Sequence, residues 1–394
     1  MENLRTIEKG GDLTAKTLAG MENVLADELK TLGATSVEPG NRVVLFHGDK
    51  ALMYKANYLC RTALRVLKPI GIFTVKNEQE LYEKVKRIDW PALFDVNKTF
   101  VVSASVFHSS LTNSLYVALK TKDAIADRFR EKLGKRPFVS KENADMHIDV
   151  HISKDECTIS LDSSGNSLHK RGYRVAVDKA PLNEVLAAGM IKLSGWKKDG
   201  DFIDPMCGSG TIPMEAAMLA MNIPAGYYRK HFSFEHWNDF DPELFEKIKK
   251  EAAEEICEYD NPIIASDKSF KAFGIARSNL KNAGLHKDVM LLNKPFAKVN
   301  PESGKGMLMF NPPYGLRLEE DELIELYKHI GDVLKNRFQG YEAWIITGNM
   351  EVAKFIGLRP SRKIILYNGP LESRFIKFEM YRGSKKAAKS QNSK

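Results

Sequence analysis

From about residue 178 onward, short apolar runs alternate with stretches in which apolar residues recur every three or four positions. KAPLNEVLAAGMIKLSGW reads as a helix opened near Pro181, with Leu182, Val185, Leu186, Met190 and Leu193 on one face. DFIDPMCGSGT is a short strand running into a glycine turn, and the IPMEAAMLAMN that follows is helical. PIIASD is an apolar strand ending in an acid, followed by the helical KAFGIARSNLKNAG. DVMLL, GMLMF, AWIIT, KIILY and RFIKFEMY continue the strand series, with ELIELYKHIGDVLKNRF among the helices between them. This alternation predicts an α/β fold, a mostly parallel sheet with helices on both faces. Only NGPLES separates the last two strands, which predicts an antiparallel hairpin at one edge.

The first 175 residues follow a different pattern. Short strands (RVVLFHG, TFVVSASVF, HIDVHI, CTISLDS) are mixed with helices (GMENVLADELKTLG, ELYEKVKRI, SLYVALKTKDAIADRFREKLG), an α+β arrangement without a glycine loop. It reads as a binding region.

Composition narrows the class. A chain of 394 residues, 43% hydrophobic and 28% charged, suits a soluble protein of two or three domains. No apolar stretch approaches the roughly 18 residues of a membrane span, and MENLRTIEKGGDLTAKTL lacks a secretory core. Cys60, Cys157, Cys207 and Cys257 lie far apart with no CxxC pair, which predicts neither disulfides nor a zinc knuckle and points to the cytoplasm. His147 and His151 alternate on a strand, and no third ligand completes a metal set, so no metal is expected. The formal charge is +8, but five of those charges follow Glu379, in a small, polar tail expected to be disordered. Charge alone therefore says little about the partner.

Two motifs carry chemistry. DPMCGSGT, residues 204–211, is neither a P-loop nor GxGxxG, because Pro213 occupies the third glycine position. It places an acid, Asp204, at a strand's end, and Gly208 and Gly210 allow close backbone approach. Such an acid repels phosphate and suits an ammonium group. Asp267, closing the next strand, can accept hydrogen bonds from both hydroxyls of a ribose. A nucleoside joined to an amino acid fits both, which describes S-adenosylmethionine. The second motif, FNPPYG, ends the apolar run Met307–Phe310. If the Asn311 oxygen and the Pro312 carbonyl accept the two N–H bonds of an exocyclic amine, its lone pair is turned toward a methyl donor. Pro312 and Pro313 fix the direction of the carbonyl, and Tyr314 offers a face for an extruded base.

In this order and spacing, DPMCGSGT, the acid of IIASD and NPPYG resemble class I S-adenosylmethionine-dependent methyltransferases acting on exocyclic amines. KAPLNEVLAA resembles the motif that precedes the first strand in that family. SLYVALKTKDAIADRFREK and SLDSSGNSLHKRGYR resemble the THUMP domain and junction of RlmL-type enzymes, which methylate guanine N2 in large-subunit ribosomal RNA. The likeness implies a Rossmann-like methyltransferase domain over 176–383, with a ferredoxin-like region over 1–65 and a THUMP region over 66–175 before it. The tail over 384–394 is left outside. It implies cofactor contacts from Asp204, Pro205, Cys207, Gly208, Gly210, Thr211 and Asp267, and a target base held by Asn311, Pro312, Pro313 and Tyr314. Two departures stand out. The chain holds one methyltransferase domain where some relatives carry two, implying a single methylation. Pro295 replaces the acid that usually holds the adenine amine, leaving a backbone contact near Phe296 for that role.

The resemblance also implies an RNA partner, 23S rRNA or a large-subunit precursor, gripped by the THUMP region. Lys120, Lys122 and Arg128 on one basic helix, then Lys170, Arg171 and Arg174 at the junction, are the candidate phosphate contacts. Interleaved Asp123, Asp127 and Glu131 offer those helix charges partners within the chain as well. Arg229 is a further candidate RNA contact, and the segment that contains it, NIPAGYYRKHFSFEHWNDF, either covers the acceptor pocket or stacks a neighbouring base, or is a packed aromatic ridge. Adenine N6 methylation of RNA or DNA, a transfer-RNA substrate, and a non-catalytic ribosome-assembly role remain alternatives.

Overall fold

Among the described residues, fourteen strands build two seven-stranded sheets. The computed structural model describes residues 11–177, 181–314 and 319–381. The expected tail and Gly315 of the NPPYG turn lie outside them. Contacts divide the chain into two units. Among the described residues, the first holds 11–17, Leu25–Lys170 and Arg229–Glu254, and the second holds the remainder. No helix in the described residues is long and apolar enough to cross a membrane.

In the first unit the strands are β1 (Asp12–Lys16), β2 (Thr35–Pro39), β3 (Val43–His47), β4 (Arg65–Thr74), β5 (Phe100–Phe107), β6 (Met146–Ser153) and β7 (Glu156–Asp162). Their order is β2-β3-β1-β4-β7-β6-β5, antiparallel except for the β5–β6 pair. β4 pairs with β1 through Arg65–Leu67 and with β7 from Leu67 to Thr74. The expected division at residue 65 therefore falls inside one continuous sheet. The register shifts between Pro69 and Gly71, where proline has no amide to give the ladder. His147 and His151 sit half-buried on β6, and that burial depresses both imidazoles.

The aromatic segment after Tyr228 is a packed ridge. Phe232, Phe234, Trp237 and Phe245 are buried in the first unit's core. Phe234 stacks on Tyr54 at 4.3 Å and on Phe232 at 5.3 Å. Each such ring contributes about 1.5–3 kcal/mol through removal from water. Helix Pro242–Glu254 completes the ridge with Phe245 and Ile248 inward. The stretch expected within the methyltransferase region thus belongs to the core of the other unit.

The second unit contains β8 (Asp201–Asp204), β9 (Ile263–Ser266), β10 (Val289–Leu292), β11 (Gly306–Phe310), β12 (Tyr341–Thr347), β13 (Arg362–Asn368) and β14 (Leu371–Glu379). The order is β10-β9-β8-β11-β12-β14-β13. The first five strands run parallel, and β14 is antiparallel to both β12 and β13, the hairpin read from the sequence. One face packs Met214, Met218 and Ala276, and the other packs Phe296, Phe310, Tyr327 and Phe338, so helices cover both sides. The helix read from Pro181 begins at Glu184, where the Asn183 side chain accepts from the amides of Val185 and Leu186. From β8 the chain builds outward to β9 and β10, then returns to place β11 on β8's other side. That reversal is the switch point where open sheets bind ligands at the carboxyl ends of their strands.

Candidate active site

All four residues of β8 are buried, and the strand stops at Pro205, which cannot continue the ladder. β8 pairs in parallel with β9 and β11, so Asp204, Asp267 and Asn311 stand at the carboxyl ends of three neighbouring strands. The turn between them is tied down at several points. Cys207 donates its amide to the Ser266 carbonyl at 2.9 Å, and Gly210 donates to the Cys207 carbonyl at 2.8 Å. Gly208 and Gly210 have φ of +54° and +85°, a region that disfavours side chains. Among the described residues a Cβ on Gly208 would meet nothing within 4 Å, which leaves space above the turn for a ligand.

Two carboxylates face this space with different support. Asp267 accepts from the amides of Gly208 at 3.0 Å and Ser269 at 2.8 Å. These contacts use one site on each oxygen, and a carboxylate retains capacity for ribose hydroxyls. Asp204 accepts from Met206 at 3.1 Å. Burial pushes its carboxyl well above the usual range; the Met206 amide opposes that rise and the Asp267 charge adds to it. Burial likewise raises the Cys207 thiol, which is therefore neutral. The Thr211 hydroxyl accepts from Arg174 Nη2 and keeps its own O–H donor. The Phe296 ring packs against Phe310 and Phe338 at 5.5 and 5.6 Å, so it belongs to the core, and Pro295 caps the turn before it. The open space, the glycine backbone and an acid suited to an ammonium group together fit an aminoacyl nucleoside.

The acceptor side follows from the end of β11. Pro312 lacks an amide and biases Asn311 away from helix, so the strand ends there. The Asn311 Oδ1 is buried and has no hydrogen-bond partner among the described residues. Pro312 is buried and Pro313 exposed. Tyr314 is half-buried, and its hydroxyl accepts from Asn368 Nδ2 at 3.0 Å. A Cβ added to Gly348 would lie 3.1 Å from Tyr314 Cε2 and 2.6 Å from Leu371 Cδ2, so the tyrosine ring uses the room that glycine leaves.

Three of the basic residues expected to touch RNA are otherwise engaged. Arg171 is buried and pairs with buried Glu215 at 3.3 Å, where Tyr173 also donates at 3.0 Å. Arg174 contacts Glu184 at 2.8 Å and donates to the hydroxyls of Ser209 and Thr211, both at 3.0 Å. Arg229 donates to the carbonyls of Ser164, Asn166, Ser167 and Lys170, closing that loop. Sequence shows the charges of Arg171 and Arg174 but not the buried carboxylates that neutralise them. The other four belong to the first unit. Lys170 is exposed, Lys122 lies 2.9 Å from Asp123, and Lys120 sits 5.6 Å above the Tyr82 ring. Arg128 is half-buried, its Nε without a partner among the described residues. Sequence reasoning missed Arg174 and Asn279 as supports of the turn; Asn279 donates to Ser209 and accepts from Val175 and Ala176.

Comparison with known proteins shows the family and the fold. Residues 12–67 match the RlmL ferredoxin-like domain, 75–162 the THUMP domain, and 171–377 the RMKL-like methyltransferase domain. A Methylococcus capsulatus protein named ribosomal RNA large subunit methyltransferase K/L is 39% identical over 94% of this chain. The chain spans 51% of that relative's length. A Synechocystis protein, provisionally assigned as an RNA methyltransferase, is 37% identical over 93% of this chain and 96% of its own. A crystal structure of a provisionally assigned methyltransferase complexed with SAH superposes with a TM-score of 0.85 at 31% identity, covering 96% of this chain and all of the other.

Proposed function

As the chain belongs to the RMKL-like methyltransferases, we propose that it methylates an exocyclic amine in RNA, guanine N2 of 23S rRNA, with S-adenosylmethionine as donor. The observation that carries this reading is the Asn311 Oδ1, a buried acceptor at the end of β11 with no partner among the described residues. Leaving such a group unsatisfied costs about 1–3 kcal/mol. A ligand N–H would satisfy it, and an exocyclic amine has two, the second directed to the Pro312 carbonyl.

Asp204, the turn from Pro205 to Gly210 and Asp267 would hold the donor, whose contribution is an electrophilic methyl group. The chain's own work is positional. Asn311 and the Pro312 carbonyl orient the amine so that its lone pair leaves the plane of the base, and Tyr314 stacks an extruded base. Orientation of this kind supplies much of the acceleration in transfers between two bound groups. Methylation makes the amine acidic, so water can accept its proton and no strong general base is required.

The test is methyl transfer from labelled S-adenosylmethionine to ribosomal RNA from cells lacking this protein, followed by nucleoside separation. Label is expected in N2-methylguanosine. Asn311→Ala is expected to abolish it while leaving thermal stability unchanged or higher, because the unsatisfied acceptor is removed. Label in N6-methyladenosine would overturn the base assignment. RNA binding without label on free RNA or precursor subunits would favour the assembly role.

A further inference from the structure

Helix Phe270–Asn282 and the turn after it carry a run of basic residues. From Lys268 to Lys287 there is no acidic residue. Buried Ala272, Ala276, Asn279 and Leu280 turn Lys271, Arg277 and Lys281 outward, and Lys268, His286 and Lys287 are exposed on either side. Several other lysines are matched within their own helix, as in Lys249–Glu246, Lys247–Glu251, Lys328–Glu325 and Lys335–Asp332. Among the described residues no carboxylate pairs with Lys268, Arg277, Lys281 or Lys287. Arg277 and Lys281 stand at i,i+4, where like charges repel and weaken the helix. A solvated face gains nothing from such a row; an external polyanion removes the repulsion and releases its own counterions.

Position and an aromatic side chain add to the charge. The helix begins three residues after Asp267, so the row starts at the rim of the candidate cofactor site. Its 13 residues span about 20 Å, long enough to follow several phosphates. At its start Phe270 is 78% exposed, stacked on Phe273 at 6.2 Å, with its outer face available to a base.

We propose that this face of the catalytic unit is an RNA-docking surface additional to the THUMP region, binding phosphates of the substrate with Phe270 as a stacking platform. It rests on the reading that the substrate is RNA. The test measures binding of a ribosomal RNA fragment by the full chain across a salt series, for the wild type, for Arg277→Ala/Lys281→Ala/Lys287→Ala and for Phe270→Ala. The triple variant is expected to bind about tenfold more weakly near 0.1 M salt, with the slope of log affinity on log salt reduced by roughly two. SAH affinity and kcat at saturating RNA should match the wild type and the melting temperature should be equal or higher, because the i,i+4 repulsion is removed, while KM rises. Phe270→Ala should weaken binding with the slope unchanged. Wild-type binding with an unchanged triple variant overturns the docking surface alone. Absence of wild-type RNA binding overturns the RNA reading and the surface with it. Loss of binding to anionic lipid vesicles in the triple variant, with RNA affinity unchanged, assigns the face to a membrane surface and overturns the proposal.

Discussion

Asn368 reaches the acceptor turn through one hydrogen bond, to the Tyr314 hydroxyl. In sequence Asn-Gly reads as hairpin chemistry, and β13 does end at Asn368 with β14 resuming at Leu371; the turn signal hid the second use of the side chain. If Asn368 acts by orienting that ring, Asn368→Ala and Tyr314→Phe should each lower kcat/KM by about tenfold, up to the ~100-fold that slight misplacement can cost. The double variant should be no worse than the poorer single one, which a double-mutant cycle on methyl transfer would show. Asp204 gives a second expectation at this scale. Burial raises its carboxyl above the unfolded value near 3.9. Between those two values the folded chain holds a proton that the unfolded chain has lost. The contribution of Asp204 to unliganded stability is therefore present below the window and lost as pH rises through it. A bound ammonium group favours the ionised form, so donor binding should release a proton and tighten with rising pH. Calorimetric titration with SAH in buffers of differing ionisation enthalpy checks the sign.

At the scale of elements, the junction 171–177 is a strap across the catalytic unit's polar groups. Arg171 and Tyr173 meet on Glu215, Arg174 joins Glu184 to Ser209 and Thr211, and Asn282 donates to the Tyr173 carbonyl. Pattern alone could place the strands, the glycine turn and the NPPY turn, because each carries its signal within a few residues. It could not place Arg171, whose partner lies 44 positions away. Arg171→Met should destabilise the chain by about 3–5 kcal/mol by leaving Glu215 buried without its counter-ion. Adding Glu215→Leu should recover only part of that loss, because it removes the unpaired carboxylate but leaves the buried Tyr173 hydroxyl without its acceptor. Chemical denaturation of the two variants measures both.

For the whole molecule, two sheets and their classes were legible, and the assignment of residues between them was not. Alternating apolar runs report a strand but not which sheet it joins, and Pro69 and Gly71 interrupt the pattern of β4, the strand that joins β1 to β7. The aromatic segment from Phe232 to Phe245 follows a catalytic strand and helix in sequence, yet it fills the first unit. This arrangement constrains the order of synthesis. Chains emerge from the ribosome from the N-terminus at roughly 5–20 residues per second, and domains commonly fold in that order. The first unit cannot close its core when β7 emerges, because Phe245, Ile248 and Ala252 have yet to be made. By the time they arrive, β8 and helix Thr211–Ala220 are already outside. The half that reads as the earlier domain is therefore completed only after the other has begun.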